Sequence, residues 1–176
     1  MVRDDEIKRL VKYAEGLGLR VVFSQMKNPD AVADWHLDNS QITIFTRKNT
    51  SKIDTVLSLI HELGHAQHNV WEKDRQIDER LHNILSKIEE YENKGLVAPV
   101  QYRNALYRYE RDSTAYWEAI YKETNMKFPK WRLYATMELD IWVYEYYAET
   151  GNFPKRRETR AKWQELARKH RRIKYE

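Results

Sequence analysis

The chain has no cysteine. That absence removes disulfide staples, thiolate nucleophiles and every zinc site built on Cys, so a metal here must be held by His and carboxylates. Proline and glycine are scarce, four and five in 176 residues, which excludes collagen-like sequence and long low-complexity linkers. No apolar run approaches the roughly 20 residues that a membrane-spanning helix needs. The first ten residues, MVRDDEIKRL, contain charges where a secretory signal has an apolar stretch. The expectation is therefore a cytoplasmic protein with no membrane partner.

What the chain does have is charge and a patterned apolar fraction. Charged residues make up 33% and apolar ones 41%, which suits a folded domain with a real core rather than a disordered chain. The net charge of +4 is unevenly spread. From Lys155 to Glu176 there are ten Lys/Arg against three acids, an excess that leaves the remainder net negative. Two attractions suit such a segment, nucleic-acid phosphate and an acidic protein partner, and the competing reading is a solvated helix.

Periodicity orders the elements. Asp4 to Gly16 reads as an amphipathic helix and Leu19 to Phe23 as a strand. Lys27-Asn28-Pro29-Asp30 is a turn. Ile42 and Ile44 alternate with Thr43 in a half-buried strand over Gln41 to Thr46, with Asp38-Asn39-Ser40 as a hairpin link before it. The edge of this strand is a candidate track for an extended peptide. From Ser51 onward the pattern is helical throughout: 51–70, 73–93, Pro99 to about Asn125, 131–149 and 155–173. The fold class is thus α+β, mostly α-helical. Residues 1–125 are expected to form the domain that carries the chemistry, and 126–176 a helical extension ending in the basic helix.

The chemistry concentrates in His61-Glu62-Leu63-Gly64-His65. Residues four apart stack on one helical face, so His61 and His65 can aim their rings at one ion. Glu62 lies about 100° round the axis, beside that point, where a carboxylate can take a proton from water on the metal. Ser51 with Asp54 forms a helix-capping pair ahead of it. Ile53, Val56, Leu57, Ile60 and Leu63 give a core face, while Asp54, Ser58, His61, His65 and His68 form a polar stripe. The bland alternative is a helix with two surface histidines.

A hydrolytic zinc site needs a third protein ligand and an open fourth position. Leu106, Glu110, Ser113, Trp117 and Ile120 share one helical face, which makes Glu110 the acid on an apolar side. Asp112 and Glu118, on other faces, remain alternatives. His68 is on the His61/His65 stripe, but a span of roughly 10 Å along one helix cannot close on one ion. The competing role for Glu110 is an ordinary ion pair with Arg108 or Arg111. His36 and His68 suit core or surface positions, with His68 a weaker candidate for orienting substrate. Tyr109, Tyr116 and Tyr121 are candidates for a hydrogen bond to an oxyanion. The aromatic density from Tyr134 to Tyr147 reads as packing.

A first helix, a short sheet ending in QITIFT, then SKIDTVLSLIHELGHAQHN and a later YERDSTAYWEA resemble a zincin. More narrowly, the chain resembles the ImmA/IrrE family of metallopeptidase-like proteins over roughly residues 1 to 121. A second resemblance is to SprT-like DNA-associated proteases. The resemblance implies a zincin-like domain with a small sheet beside the HELGH helix, Zn²⁺ held by His61, His65 and Glu110, Glu62 activating a zinc-bound water, and a protein or peptide substrate. The other function class is a zinc-binding regulatory or nucleic-acid-associated protein on the same fold, without turnover.

Overall fold

A computed structural model describes residues 4–25, 33–36, 40–46, 50–72 and 75–175, with side chains left out at 33–36, 70–72 and 75–80. The order of elements is α1 (Asp4–Gly16), β1 (Arg20–Gln25), β2 (Ala33–His36), β3 (Gln41–Thr46), α2 (Lys52–Glu72), α3 (Arg75–Asn93), α4 (Val100–Thr114), α5 (Trp117–Glu123), α6 (Lys130–Thr150) and α7 (Arg156–Arg171). The protein is α+β and mostly helical, as its sequence pattern implies. Among the described residues no helix is long and apolar enough to cross a membrane. By backbone contacts the chain falls into two compact units, residues 1–67 with 116–129, and 68–115 with 130–176.

The first unit holds the sheet. Its strand order is β1-β3-β2. β1 pairs parallel with β3, Arg20 opposite Gln41 through Gln25 opposite Thr46. β2 pairs antiparallel with β3, His36 opposite Gln41. The sheet is therefore mixed, and the antiparallel pair fits the expected hairpin; Ser40 of its link has φ +48°, while Asp38, Asn39 and the turn at 27–30 lie outside the described residues. The placement of β3 corrects one expectation. Its alternating Ile42 and Ile44 are both buried, and a strand buried in this way takes the centre, with partners on both sides. Neither edge of Gln41–Thr46 is open to a peptide; the margins of the sheet are β1 and β2.

Around the sheet, α1 buries Leu10 and Ala14. It also buries Glu6, whose Oε1 accepts the Lys127 backbone N–H at 2.7 Å, a charge-assisted bond that periodicity alone does not reveal. Arg9 binds the end of α5 through the carbonyls of Thr124 (2.8 Å) and Asn125 (3.2 Å). Those are helix-terminal acceptors without an intrahelical partner.

The second unit is a helical assembly. α4 packs against α3 and α6, and α7 against α6. Ile88, Ala98, Leu106 and Tyr147 form its buried centre, flanked by Leu81, Ile84, Tyr91, Tyr102 and Tyr144. Leu85, in helical phase with Leu81 and Ile88, is exposed instead. Arg103 spans from α4 to the carbonyls of Ala98, Tyr147 and Ala148, closing the end of α6. At Gly151, φ is +76° and a Cβ would collide with the Val97 side chain, so both conformation and space require glycine there.

The helix expected from Pro99 to Asn125 is two helices. Ser113 Oγ donates to the Glu110 carbonyl at 2.8 Å and Thr114 Oγ1 to the Arg111 carbonyl at 2.7 Å. These side-chain bonds compete with the helical ladder. The Ala115 N–H turns back to the Asp112 carbonyl, and the chain restarts at Trp117.

Two outcomes test these supports. Ser51→Ala should lower stability by about 1 kcal/mol, the usual value of a helix N-cap, in a denaturant titration. Burial would raise the Glu138 carboxyl, but Lys169 and His170 outweigh it and hold the group below its ordinary 4.5. A depressed carboxylate contributes stability above its unfolded pKa and loses it as pH falls through the folded one. Wild type should therefore melt above Glu138→Gln at neutral pH, and the gap should shrink as pH falls below about 4.5.

Candidate metal centre

The HELGH segment sits on a helix whose start is fixed locally. Ser51 Oγ accepts the Asp54 N–H at 3.2 Å and donates its proton to the Asp54 carboxylate at 2.5 Å. From there α2 buries Val56, Leu59, Ile60, Leu63 and Ala66 completely. The polar residues beside them are buried too: Glu62 at 7% exposure, His65 at 5% and His68 at 8%. Polar groups held this deep cost free energy unless something satisfies them.

The two motif histidines meet. Their Nε2 atoms are 3.0 Å apart, with ring centroids 4.6 Å apart at an interplanar angle of 72°. Glu62 Oε1 is 3.9 Å from His61 Nε2. This is too far for a bond, and within reach of a water beside that nitrogen. Trp117, 1% exposed, sets its ring edge-on to His61 at 5.5 Å. Further along, His68 stacks on Tyr109 at 5.5 Å and 26°.

His61, His65 and Glu110 form a group whose ligand atoms all lie within 4.8 Å of one another, so they can hold a metal ion. The donor chemistry fits such an ion, since two borderline imidazole nitrogens with one hard carboxylate oxygen make a set that first-row divalent metals accept, and the chain offers no thiolate. The histidine spacing fits as well. With metal–nitrogen bonds of ~2.0–2.1 Å, a tetrahedral ion holds two nitrogens about 3.3 Å apart. The observed 3.0 Å needs an opening of a few tenths of an ångström. The same distance also suits an N–H···N bond between the rings when no metal is present.

The alternatives to Glu110 are committed elsewhere. Asp112 is half-exposed and pairs with Arg111 at 2.7 Å, and Glu118 pairs with Lys122 at 2.7 Å. Arg111 is thus matched with Asp112, while Glu110 is 7% exposed. Of the three tyrosines considered for an oxyanion, Tyr121 is engaged, its hydroxyl donating to the Phe128 carbonyl. His36 lies in β2 opposite Gln41, its side chain outside the described residues. The ring contact of Trp117 with His61 was not visible in the chain pattern. Periodicity placed Trp117 on a buried face without saying which residue it would touch.

No family model, curated protein or solved structure matches this chain.

If the three residues hold an ion, the metal must stabilise the folded protein by mass action. Chelator-stripped protein titrated with Zn²⁺ should gain about 2.7 kcal/mol when free metal reaches a hundredfold excess over its Kd. His65→Ala should abolish this gain and Glu110→Gln should reduce it. An identical gain in both variants would show binding elsewhere.

Proposed function

We propose that the protein is a zinc metallopeptidase of the zincin type, related in plan to the ImmA/IrrE proteins it resembles, and that it hydrolyses a peptide bond in a protein or peptide substrate. One observation carries the reading: two imidazole nitrogens 3.0 Å apart on a buried helix, with a buried carboxylate 3.9 Å from one of them.

His61, His65 and Glu110 are the ligands in this reading. When bound, Zn²⁺ supplies Lewis acidity, polarising the scissile carbonyl and easing deprotonation of water. Glu62 then does the proton work. Its carboxylate accepts a proton from the attacking water at one oxygen and delivers it to the leaving amine nitrogen. At 7% exposure Glu62 is held largely apart from bulk solvent, beside the two imidazoles. Trp117 limits the swing of His61 by filling the space at its side. Neither sheet margin is assigned to the substrate.

The test combines metal analysis with turnover. Wild type and Glu62→Gln should bind zinc in equal amounts. Cleavage of an unstructured peptide library should fall by about 10²- to 10⁴-fold in the variant, the usual worth of a positioned general base. Unchanged cleavage in Glu62→Gln would remove the proposed base, and protein that takes up no zinc would remove the peptidase reading altogether.

A further inference from the structure

The basic helix α7 divides its charges by type. Taking about 100° per residue, Arg156, Arg160, Arg171, Arg157 and Arg168 fall within an arc of about 120°. All five are exposed. Glu158, Glu165, Lys162 and Lys169 occupy the opposite part of the exposed surface. There the lysines are neutralised, Lys162 by Glu165 at 2.9 Å and Lys169 by Glu138 at 2.7 Å. Glu158 is used at the helix start, its Oε2 accepting the Lys155 N–H at 2.6 Å. Among the described residues no carboxylate pairs with any of the five arginines.

A merely solvated helix mixes its charges, because like charges at i, i+4 repel. Five unpaired guanidinium groups in one arc accept that repulsion, and guanidinium is the side chain that binds phosphate oxygens in a two-pronged fashion. The apolar side of α7, with Leu166, Ala167 and His170 buried, faces its own unit, so the helix has no apolar stripe to insert into a bilayer. Beside the arginines runs a shallow groove of about 340 Å³ lined by Trp163, Gln164, Ala167, Arg168 and Arg171. Arg171 lies over the Trp131 ring at 4.4 Å, which fixes its head group at the groove's edge.

We propose that this arginine face binds single-stranded nucleic acid, with phosphates along the arginine row and a base entering the groove at Trp163. The groove favours a single strand over a duplex. A paired base is held in its stack, whereas a strand with free bases can place one against the Trp163 indole and the Gln164 amide while its phosphates follow the arginines. An acidic polypeptide matches the charge but has no base for the groove.

Fluorescence anisotropy with a labelled thymidine oligonucleotide and the full chain, across a salt series, tests this. Arg160→Gln/Arg168→Gln should bind at least tenfold more weakly. The slope of log affinity against log salt should shrink by about 1.4, since each phosphate of a single strand that is no longer neutralised removes about 0.7. The charge-matched Lys87→Gln/Lys162→Gln should keep the wild-type slope. Trp163→Phe should retain binding and Trp163→Leu weaken it about tenfold. Equal weakening in the two charge-matched variants overturns the arginine face. Tighter binding of the duplex, or of polyglutamate, overturns the single-strand assignment.

Discussion

Two imidazoles held 3.0 Å apart on a buried helix are the constraint the rest of the site answers to. They share a face because a helix repeats every 3.6 residues, and that face is buried because Leu59, Ile60 and Leu63 take the helix into the core. Polar rings in that position cannot be left to water. Each must find a donor, an acceptor or an ion, and the surroundings offer a Glu at the side and an indole edge against His61.

The same need governs the other buried polar groups. Glu6 is 2% exposed and takes the Lys127 amide. Arg9 donates to carbonyls at the end of α5, and Arg103 to carbonyls at the end of α6. Helices α1, α3, α5 and α6 end at a residue of positive φ (Gly18, Gly95, Asn125 and Gly151), where the backbone folds back onto the last turn, and the two arginines add donors at the ends of α5 and α6.

Much of this was legible in the chain. The bounds of α1, the burial of Ile42 and Ile44, the Ser51 cap and the joint placement of His61 and His65 follow from period and local chemistry, which act over a few residues. Glu110 was legible as an inward acid because its neighbours at three and four residues are apolar. Strand order was not, since Gln41–Thr46 reads the same at an edge or in the middle, and only long-range pairing decides. The break at Ala115 was also hidden. Ser and Thr are tolerated inside helices, and whether their hydroxyls turn on the backbone depends on packing. Leu85 shows the reverse error, an apolar residue in phase with its helix that the core does not reach.

Gly151 has a consequence for the surface of the helical unit. Leu96, Val97 and Phe153 are each about half exposed and would pass for a loose apolar loop and its neighbour. Yet the α6–α7 turn has Val97 where a side chain at residue 151 would have to be, and Phe153 stacks flat on Tyr147 at 4.4 Å. Two connections far apart in sequence are thus machined to one fit. Length changes in either would be felt in the other, so the variation tolerated by this corner is in side-chain polarity rather than in the path of the backbone.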